Sequence, residues 1–165
     1  DKEKTRSTEE EIALAYTVSS HLSLKYDHLT DTMKRTFFVA KNPEEAKKRI
    51  TEEEWKKLEQ RKLTSDDIEN LELERVTDDE LNAFTEEDKK AAYLYYLMNR
   101  GYSYDEKEIK SEGVTEEEYA YIAENNASLP GFNTKLGSER SYPYGDVFRT
   151  ILGSIAKIPS EEKEE

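Results

Sequence analysis

The sequence predicts an α+β fold, mostly helical with a small antiparallel sheet, and three observations carry that prediction. Thr-x-x-Glu recurs as Thr8…Glu11, Thr51…Glu54, Thr77…Glu80 and Thr115…Glu118, with Thr85…Asp88 as a near variant. Each is the pattern of a capping box, in which the hydroxyl accepts an amide proton of the first helical turn and the carboxylate reaches back to the N-cap amide. The stretch from Ala91 to Met98 is apolar or aromatic on every side, as a central, buried helix requires. Downstream, Phe132, Thr134 and Leu136 alternate with Asn133 and Lys135, the period of a half-buried strand.

Taken in order, the first helix is expected from Thr8 to about Leu24, with Ile12, Ala15, Tyr16, Ser19 and Leu22 along one face. The second runs from Thr30 to Ala40 and offers Met33, Phe37 and Phe38. Asn42-Pro43 reads as an N-cap followed by proline at the first helical position. Thr51 opens a helix with Trp55 and Leu58, Ser65 to Val76 another with Ile68 and Leu71, and Thr77 to Phe84 a short one. The central helix spans Thr85 to Arg100 and stops at Gly101. A strand over about 104–111 follows, with Ile109 facing inward, and Gly113 breaks it. Thr115 starts a helix bearing Tyr119, Ile122, Ala123 and Asn126. The irregular spacing of the capping boxes argues for one capping chemistry used several times, not for an internal repeat.

The length fits one domain or a compact piece of a larger chain. Of the residues, 38% are charged and only 35% are hydrophobic, which implies a small core under a charged skin. A net charge of −13 repels phosphate backbones and anionic lipid, so a nucleic-acid partner is not expected. Cysteine is absent, which excludes disulfides and thiolate metal sites. No apolar stretch approaches the ~20 residues that span a bilayer, so direct membrane insertion by these residues is not expected. The chain starts at Asp1 without a methionine and is expected to be a piece of a longer, membrane-anchored protein.

The densest punctuation lies between Leu129 and Gly153. Pro130-Gly131 is a turn dipeptide, since proline fixes one φ and glycine admits the left-handed one that follows. Gly137-Ser138 then reverses the chain, so that Glu139 to Tyr142 pairs back and a hairpin spans about 131–142. Pro143 ends that ladder for want of an N–H, and Asp146 caps a short helix carrying Val147, Phe148, Ile151 and Leu152. Arg140 has aromatic neighbours to stack on, Tyr142 or Tyr144, or a carboxylate to pair with.

Those residues (Leu129, Pro130, Gly131 and Phe132, then Arg140, Tyr142, Pro143, Tyr144 and Gly145, then Leu152 and Gly153) resemble the L-P-G-(V/F)…R-x-Y-P-Y-G…L-G element of class B penicillin-binding proteins. The element belongs to the N-terminal, non-catalytic dimerisation or pedestal region of that family. The similarity is strong over the last third of the chain. Upstream it is looser and points to elongation-type members from Gram-positive bacteria. The resemblance implies a head segment divided into a helical insert over about 7–100 and a motif-bearing α+β part over about 101–158. It further implies a parent that is a serine-type D,D-transpeptidase of peptidoglycan and a β-lactam target, anchored by a transmembrane helix on the outer face of the membrane. Partners implied are the rest of that parent and a SEDS-family glycosyltransferase or other proteins of the elongation or division machinery.

No reactive set is expected in the chain itself. The family's active site uses S-x-x-K, S-x-N and K-(T/S)-G, and the single S-x-x-K here, Ser160 to Lys163, lies in a charged tail without its companions. His21 and His28 lack ligand spacing, and the carboxylates crowd first turns of helices where capping accounts for them. Catalytic residues, cofactors and metals are therefore all read as none. The competing reading is a self-contained extracytoplasmic module for a glycan or peptide, with a concave pocket lined by some of the eleven tyrosines. Packing at the core boundary, hydroxyls toward water, is the plainer account of those tyrosines.

Overall fold

The computed structural model describes residues 7–100, 107–110, 112–135 and 154–157. Eight helices and three strands fall within them: α1 (Thr8–His21), α2 (Asp31–Lys41), α3 (Pro43–Lys48), α4 (Glu52–Glu59), α5 (Ser65–Glu74), α6 (Asp78–Asn82), α7 (Glu86–Asn99), β1 (Lys107–Lys110), α8 (Glu116–Glu124), β2 (Phe132–Lys135) and β3 (Ser154–Lys157). This is the helix-dominated α+β architecture that the sequence predicts.

Capping sets the helix starts. Five boxes are complete, at Thr51/Glu54, Thr64/Asp67, Thr77/Glu80, Thr85/Asp88 and Thr115/Glu118. Two expectations shift. The first helix takes Ser7 as its N-cap, accepting from the Glu10 amide, so Thr8 already lies inside it. Asn42 does precede Pro43 at the start of α3, but its side chain makes no cap bond and donates instead to the Phe38 carbonyl of the helix before. The Thr64/Asp67 box goes beyond the sequence-based expectation, which starts this helix at Ser65, although it has the same Thr-x-x-Asp form as Thr85/Asp88.

The main core is continuous across the helices and the sheet. It draws Ile12, Ala15, Val18 and Leu22 from α1 and its end, Phe37 from α2, Ala91, Leu94 and Met98 from α7, and Ile109, Ile122, Leu129 and Phe132 from the C-terminal part. The α1 and α7 helices pack against each other, and α2 closes the third side. As expected, α7 is the most buried of the described helices, with Ala91, Ala92, Leu94, Leu97 and Met98 enclosed, although Tyr93 and Tyr95 are half-buried and Tyr96 is exposed. A hydroxyl needs water or a partner, and this helix therefore keeps a wet edge. A separate buried set, Ala46, Ile50, Ile68, Val76 and Leu81, serves α3 to α6 and lies outside the main cluster.

The sheet has order β1-β3-β2, with both pairings antiparallel. Phe132 lies opposite Lys157 and Lys135 opposite Ser154, while β1 pairs with the other edge of β3 through an irregularity between Glu108 and Lys110. Ile109 is buried, as expected. The sequence reading placed no strand at 154–157, four residues too short and too little alternating to declare themselves. The expected second hairpin arm at 139–142 and the helix after Asp146 lie outside the described residues, as do Gly101 and the charged tail. Gly113 (φ +66°) and Gly131 (φ +84°) take the left-handed conformation that a Cβ penalises.

Candidate functional site

The described half of the Pro/Gly-punctuated motif is a turn clamped between α8 and the sheet. The Phe132 amide donates to the Leu129 carbonyl at 3.1 Å, closing a turn with Pro130 and Gly131 at its centre. A positive φ at Gly131 is what that position of a type II turn demands. The turn drives two side chains inward: Leu129 is buried and Phe132 fully so, among the largest wholly enclosed residues of the protein. Asn126, just beyond the end of α8, donates its Nδ2 to the Phe132 carbonyl at 2.8 Å and contacts Asn133 Oδ1. The sequence reading assigned Asn126 to a helix face. Its work is to tie the turn to the strand. Of the motif, Arg140, Tyr142, Pro143, Tyr144, Gly145, Leu152 and Gly153 lie outside the described residues.

At the opposite, N-terminal end of α8 sits a buried ion pair that the sequence did not announce. Glu118, at the N3 position of the α8 capping box, accepts from the Thr115 amide at 3.0 Å. The same carboxylate takes Lys110 Nζ from β1 at 2.9 Å on each oxygen, and the Ser23 amide, beyond α1, at 3.0 Å. Lys110 Nζ also donates to the Ser23 carbonyl at 2.8 Å. Burial alone would raise the Glu118 carboxyl. The hydrogen bonds from Lys110, Thr115 and Ser23 outweigh it and hold the group ionised below its usual range. Helix α8, strand β1 and the segment after α1 are thereby locked at one point.

The same device recurs in the helical part. Arg49, which closes α3, forks onto Glu80 of the α6 box at 2.7 and 2.6 Å. Arg75, which closes α5, forks onto Glu54 of the α4 box at 2.7 and 2.9 Å. Each arginine also donates to the other's backbone carbonyl, Arg49 to Arg75 O at 2.9 Å and Arg75 to Arg49 O at 2.8 Å. The two corners share one pattern, Arg-(Ile/Val)-Thr-x-x-Glu, at 49–54 and 75–80. Each corner gives its arginine to the other's carboxylate and backbone, and Ile50 and Val76, next to the arginines in sequence, are both buried. So these two capping boxes do belong to a short local repeat, visible only when the arginine two residues before each threonine is counted. The arginines hold Glu54 and Glu80 at pKa values of about 2, the bidentate hydrogen bonds being the largest cause in both. Arg35 of α2 adds donors to the Leu73 and Val76 carbonyls and so caps the C-terminus of α5.

A fourth box carboxylate, Asp88 of α7, accepts the Tyr16 hydroxyl of α1 at 2.7 Å. Burial and this anionic partner push the Tyr16 phenol well above its ordinary value. Lys41 Nζ donates to the same hydroxyl at 2.7 Å and lies 4.8 Å from the Tyr16 ring centre. Four of the five complete boxes thus serve twice, once for their own helix start and once as a tie to another element. Asp67 of the α5 box shows only its own cap bonds among the described residues.

Tyrosines do not gather into a ligand pocket among the described residues. Tyr16, Tyr93, Tyr95, Tyr119 and Tyr121 pack against the main core, and His21 stacks on Tyr121 with ring centres 3.8 Å apart. A cleft of about 200 Å³ between α2 and the start of α7 includes Tyr16, Phe38, Lys41, Phe84 and Asp88. A second, of about 390 Å³ between α2 and α5, is lined by Thr32, Arg35, Asn70, Leu73 and Glu74. No described helix is long and apolar enough to cross a membrane.

A helical core that extends into the sheet, a clamped turn and shared capping carboxylates define the described part of the chain, and no reactive set is among these features. The chain belongs to the penicillin-binding protein dimerisation domain family, whose model matches residues 1–165. It is similar to "Penicillin-binding protein 2A" of Bacillus subtilis (strain 168), with 31% identity over 155 residues, 94% of this chain and 22% of that protein. The chain therefore spans about a fifth of that relative's length. The reading as a non-catalytic segment of a class B penicillin-binding protein stands, and nothing favours the ligand-binding module.

Proposed function

We propose that this domain is the pedestal of a serine-type D,D-transpeptidase that crosslinks peptidoglycan on the outer face of the membrane, and that it holds the catalytic part at a fixed distance and orientation. The observation that carries this reading is the family match along all 165 residues. The interior supports it. A pedestal transmits position, and position is held by elements that cannot slide, such as Phe132 in the main core and the Glu118–Lys110 tie. Within the domain, a helical insert over about 7–100 and a motif-bearing part over about 101–158 act together through that tie.

The motif residues Leu129, Pro130, Gly131, Phe132, Arg140, Tyr142, Pro143, Tyr144, Gly145, Leu152 and Gly153 have structural, not catalytic, roles in this reading. A SEDS-family glycosyltransferase is the partner expected for the outer surface of the pedestal. The test of the division of labour is covalent labelling. The isolated domain, incubated with a fluorescent penicillin, forms no adduct, whereas the parent labels at its nucleophilic serine. Stoichiometric labelling of a serine within residues 1–165 overturns the proposal.

A further inference from the structure

We infer that residues 49–87 are three tandem copies of one 13-residue unit, and that the main core folds with one unit in place of three. The signal is register. Thr51, Thr64 and Thr77 stand 13 residues apart, and each caps a helix through a complete box. Around each threonine the same residue types return. Two places before it is a cation (Arg49, Lys62, Arg75), and one place before it an apolar residue (Ile50, Leu63, Val76). Three places after it is the box carboxylate (Glu54, Asp67, Glu80), followed at once by another apolar residue (Trp55, Ile68, Leu81). Seven places after it comes Leu58, Leu71 or Phe84. Every one of these apolar positions is buried or partly buried. Capping alone asks for a threonine and a carboxylate. It does not ask for equal spacing, nor for a cation and three apolar residues in fixed places beside them. A unit of this kind, one short helix with its own cap, buries its apolar face only against its neighbours.

The array leaves the main core and returns to it. That core takes no residue from 41 to 83, and Phe84, the last apolar position of the third unit, packs against it. The path closes on itself. Arg49 opens the first unit and Arg75 the third, and each donates to the other's carbonyl, at 2.9 and 2.8 Å. The reversal that brings them together lies where the first unit meets the second. There Arg61 takes φ +58° and its amide donates to the Leu58 carbonyl at 3.0 Å. A Cβ is strained in that conformation, and Glu74, the equivalent residue of the second unit, is still helical. The units match in their caps and differ in their joints, and the difference turns the array back.

Removing two units therefore joins points that already touch. Deletion of Arg49–Glu74, 26 residues, sets Arg75 directly after Lys48, where Arg49 closes α3 in the intact chain, and keeps Val76, Thr77 and Glu80. Deletion of Trp55–Glu80, again 26 residues, fuses the first part of unit one to the second part of unit three and keeps Arg49, Thr51, Glu54, Leu81 and Phe84. The loss falls on α2, which packs against α5 and gives Arg35 to the Leu73 carbonyl. Phe37 of the same helix stays in the main core.

Both variants and a control are compared with the intact chain by thermal melting and peptide-resolved hydrogen exchange. The control deletes Trp55–Asp78, 24 residues. Its two extra residues turn Leu81 and Phe84 by about 200° around the helix axis relative to their cap. The two 26-residue deletions are expected to lower the midpoint by similar shifts and to leave α1, α7 and α8 as protected as in the intact chain. The control is expected to melt below both and to lose protection at the start of α7, beside Phe84. Loss of protection in α1 and α7 in either 26-residue variant overturns the proposal, because the array is then part of the main fold. A control as stable as the two variants also overturns it, because position within the unit then carries no information.

Discussion

The α3–α6 region and the α8–sheet region solve one problem by different means. Both must fix short elements in a chain with little apolar material. Around α8 and the sheet, the solution is burial: Phe132, Leu129, Ile122 and Ile109 enter the main core, and an ion pair there, Glu118–Lys110, is almost wholly enclosed. Around α3 to α6, five buried apolar residues stand apart from that core, α4 contributes none, and two partly exposed arginine forks supply the geometry. Buried pairs are costly to break because the surviving charge is left without water. Partly exposed forks are cheaper to lose singly, yet these two share backbone carbonyls and so depend on each other. One region is fastened by exclusion of water, the other by directed hydrogen bonds.

Breaking the first region should have the largest effect. Phe132→Ala removes a fully enclosed ring and is expected to cost about 3–5 kcal/mol in urea unfolding. Glu118→Ala leaves the Lys110 ammonium behind and should cost a similar amount, about 3–5 kcal/mol, whereas Glu118→Leu with Lys110→Met should recover most of it. Persistence of the full loss in that double variant would mean that the Ser23 and Thr115 contacts, not the ion pair, hold the junction.

The arginine exchange comes next. Arg49→Met removes three charge-assisted hydrogen bonds, two to Glu80 and one to the Arg75 carbonyl, at a partly exposed site, and about 1–2 kcal/mol is expected after allowance for solvent. Combining it with Arg75→Met should fall short of or exceed the sum of the two single losses by about 0.5 kcal/mol or more, since each arginine also holds the other's backbone. Simple additivity would show that the two corners are independent.

Acid sharpens the same contrast. Glu54 and Glu80 have folded pKa values of about 2 against an ordinary value of 4.5. Their folded values are depressed, so their contribution is complete above the unfolded pKa and is lost as pH falls from about 4.5 toward 2. Glu54→Gln with Glu80→Gln should therefore lower stability at neutral pH and flatten the dependence in that window, as read from thermal midpoints across the titration. The smallest expected effect is a gain: Arg61→Gly should stabilise by up to about 1 kcal/mol by relieving a left-handed arginine.

Much of this was legible in the sequence because capping is local. Thr-x-x-Glu located the starts of α4, α6 and α8, the apolar stretch found α7, and Pro130-Gly131 located the turn that aims Phe132 inward. What the sequence hid was the second use of each carboxylate. Glu118 looks the same in a capping box whether its other oxygen meets water or Lys110 and Ser23, and the Ser23 contact depends on packing between segments far apart in the chain. Ser7 displaced Thr8 as the first cap because two neighbouring hydroxyls offer themselves for one helix start, whereas Asn42 spends its side-chain amide on the Phe38 carbonyl of the preceding helix. The arginines could have been found. An Arg-(Ile/Val)-Thr-x-x-Glu pattern occurring twice is a pairing signal, hidden by attention to the threonine alone.

Peptide-resolved hydrogen exchange tests the two-region account most directly, comparing wild type with Arg49→Met/Arg75→Met and with Glu118→Ala. The expected outcome is that the arginine variant accelerates exchange across 43–84 and leaves α8 and β1 protected, while Glu118→Ala accelerates exchange in α8, β1 and the segment around Ser23 and spares 43–84. Acceleration of both regions by either variant would contradict the account, because a single fastening would then hold the whole domain.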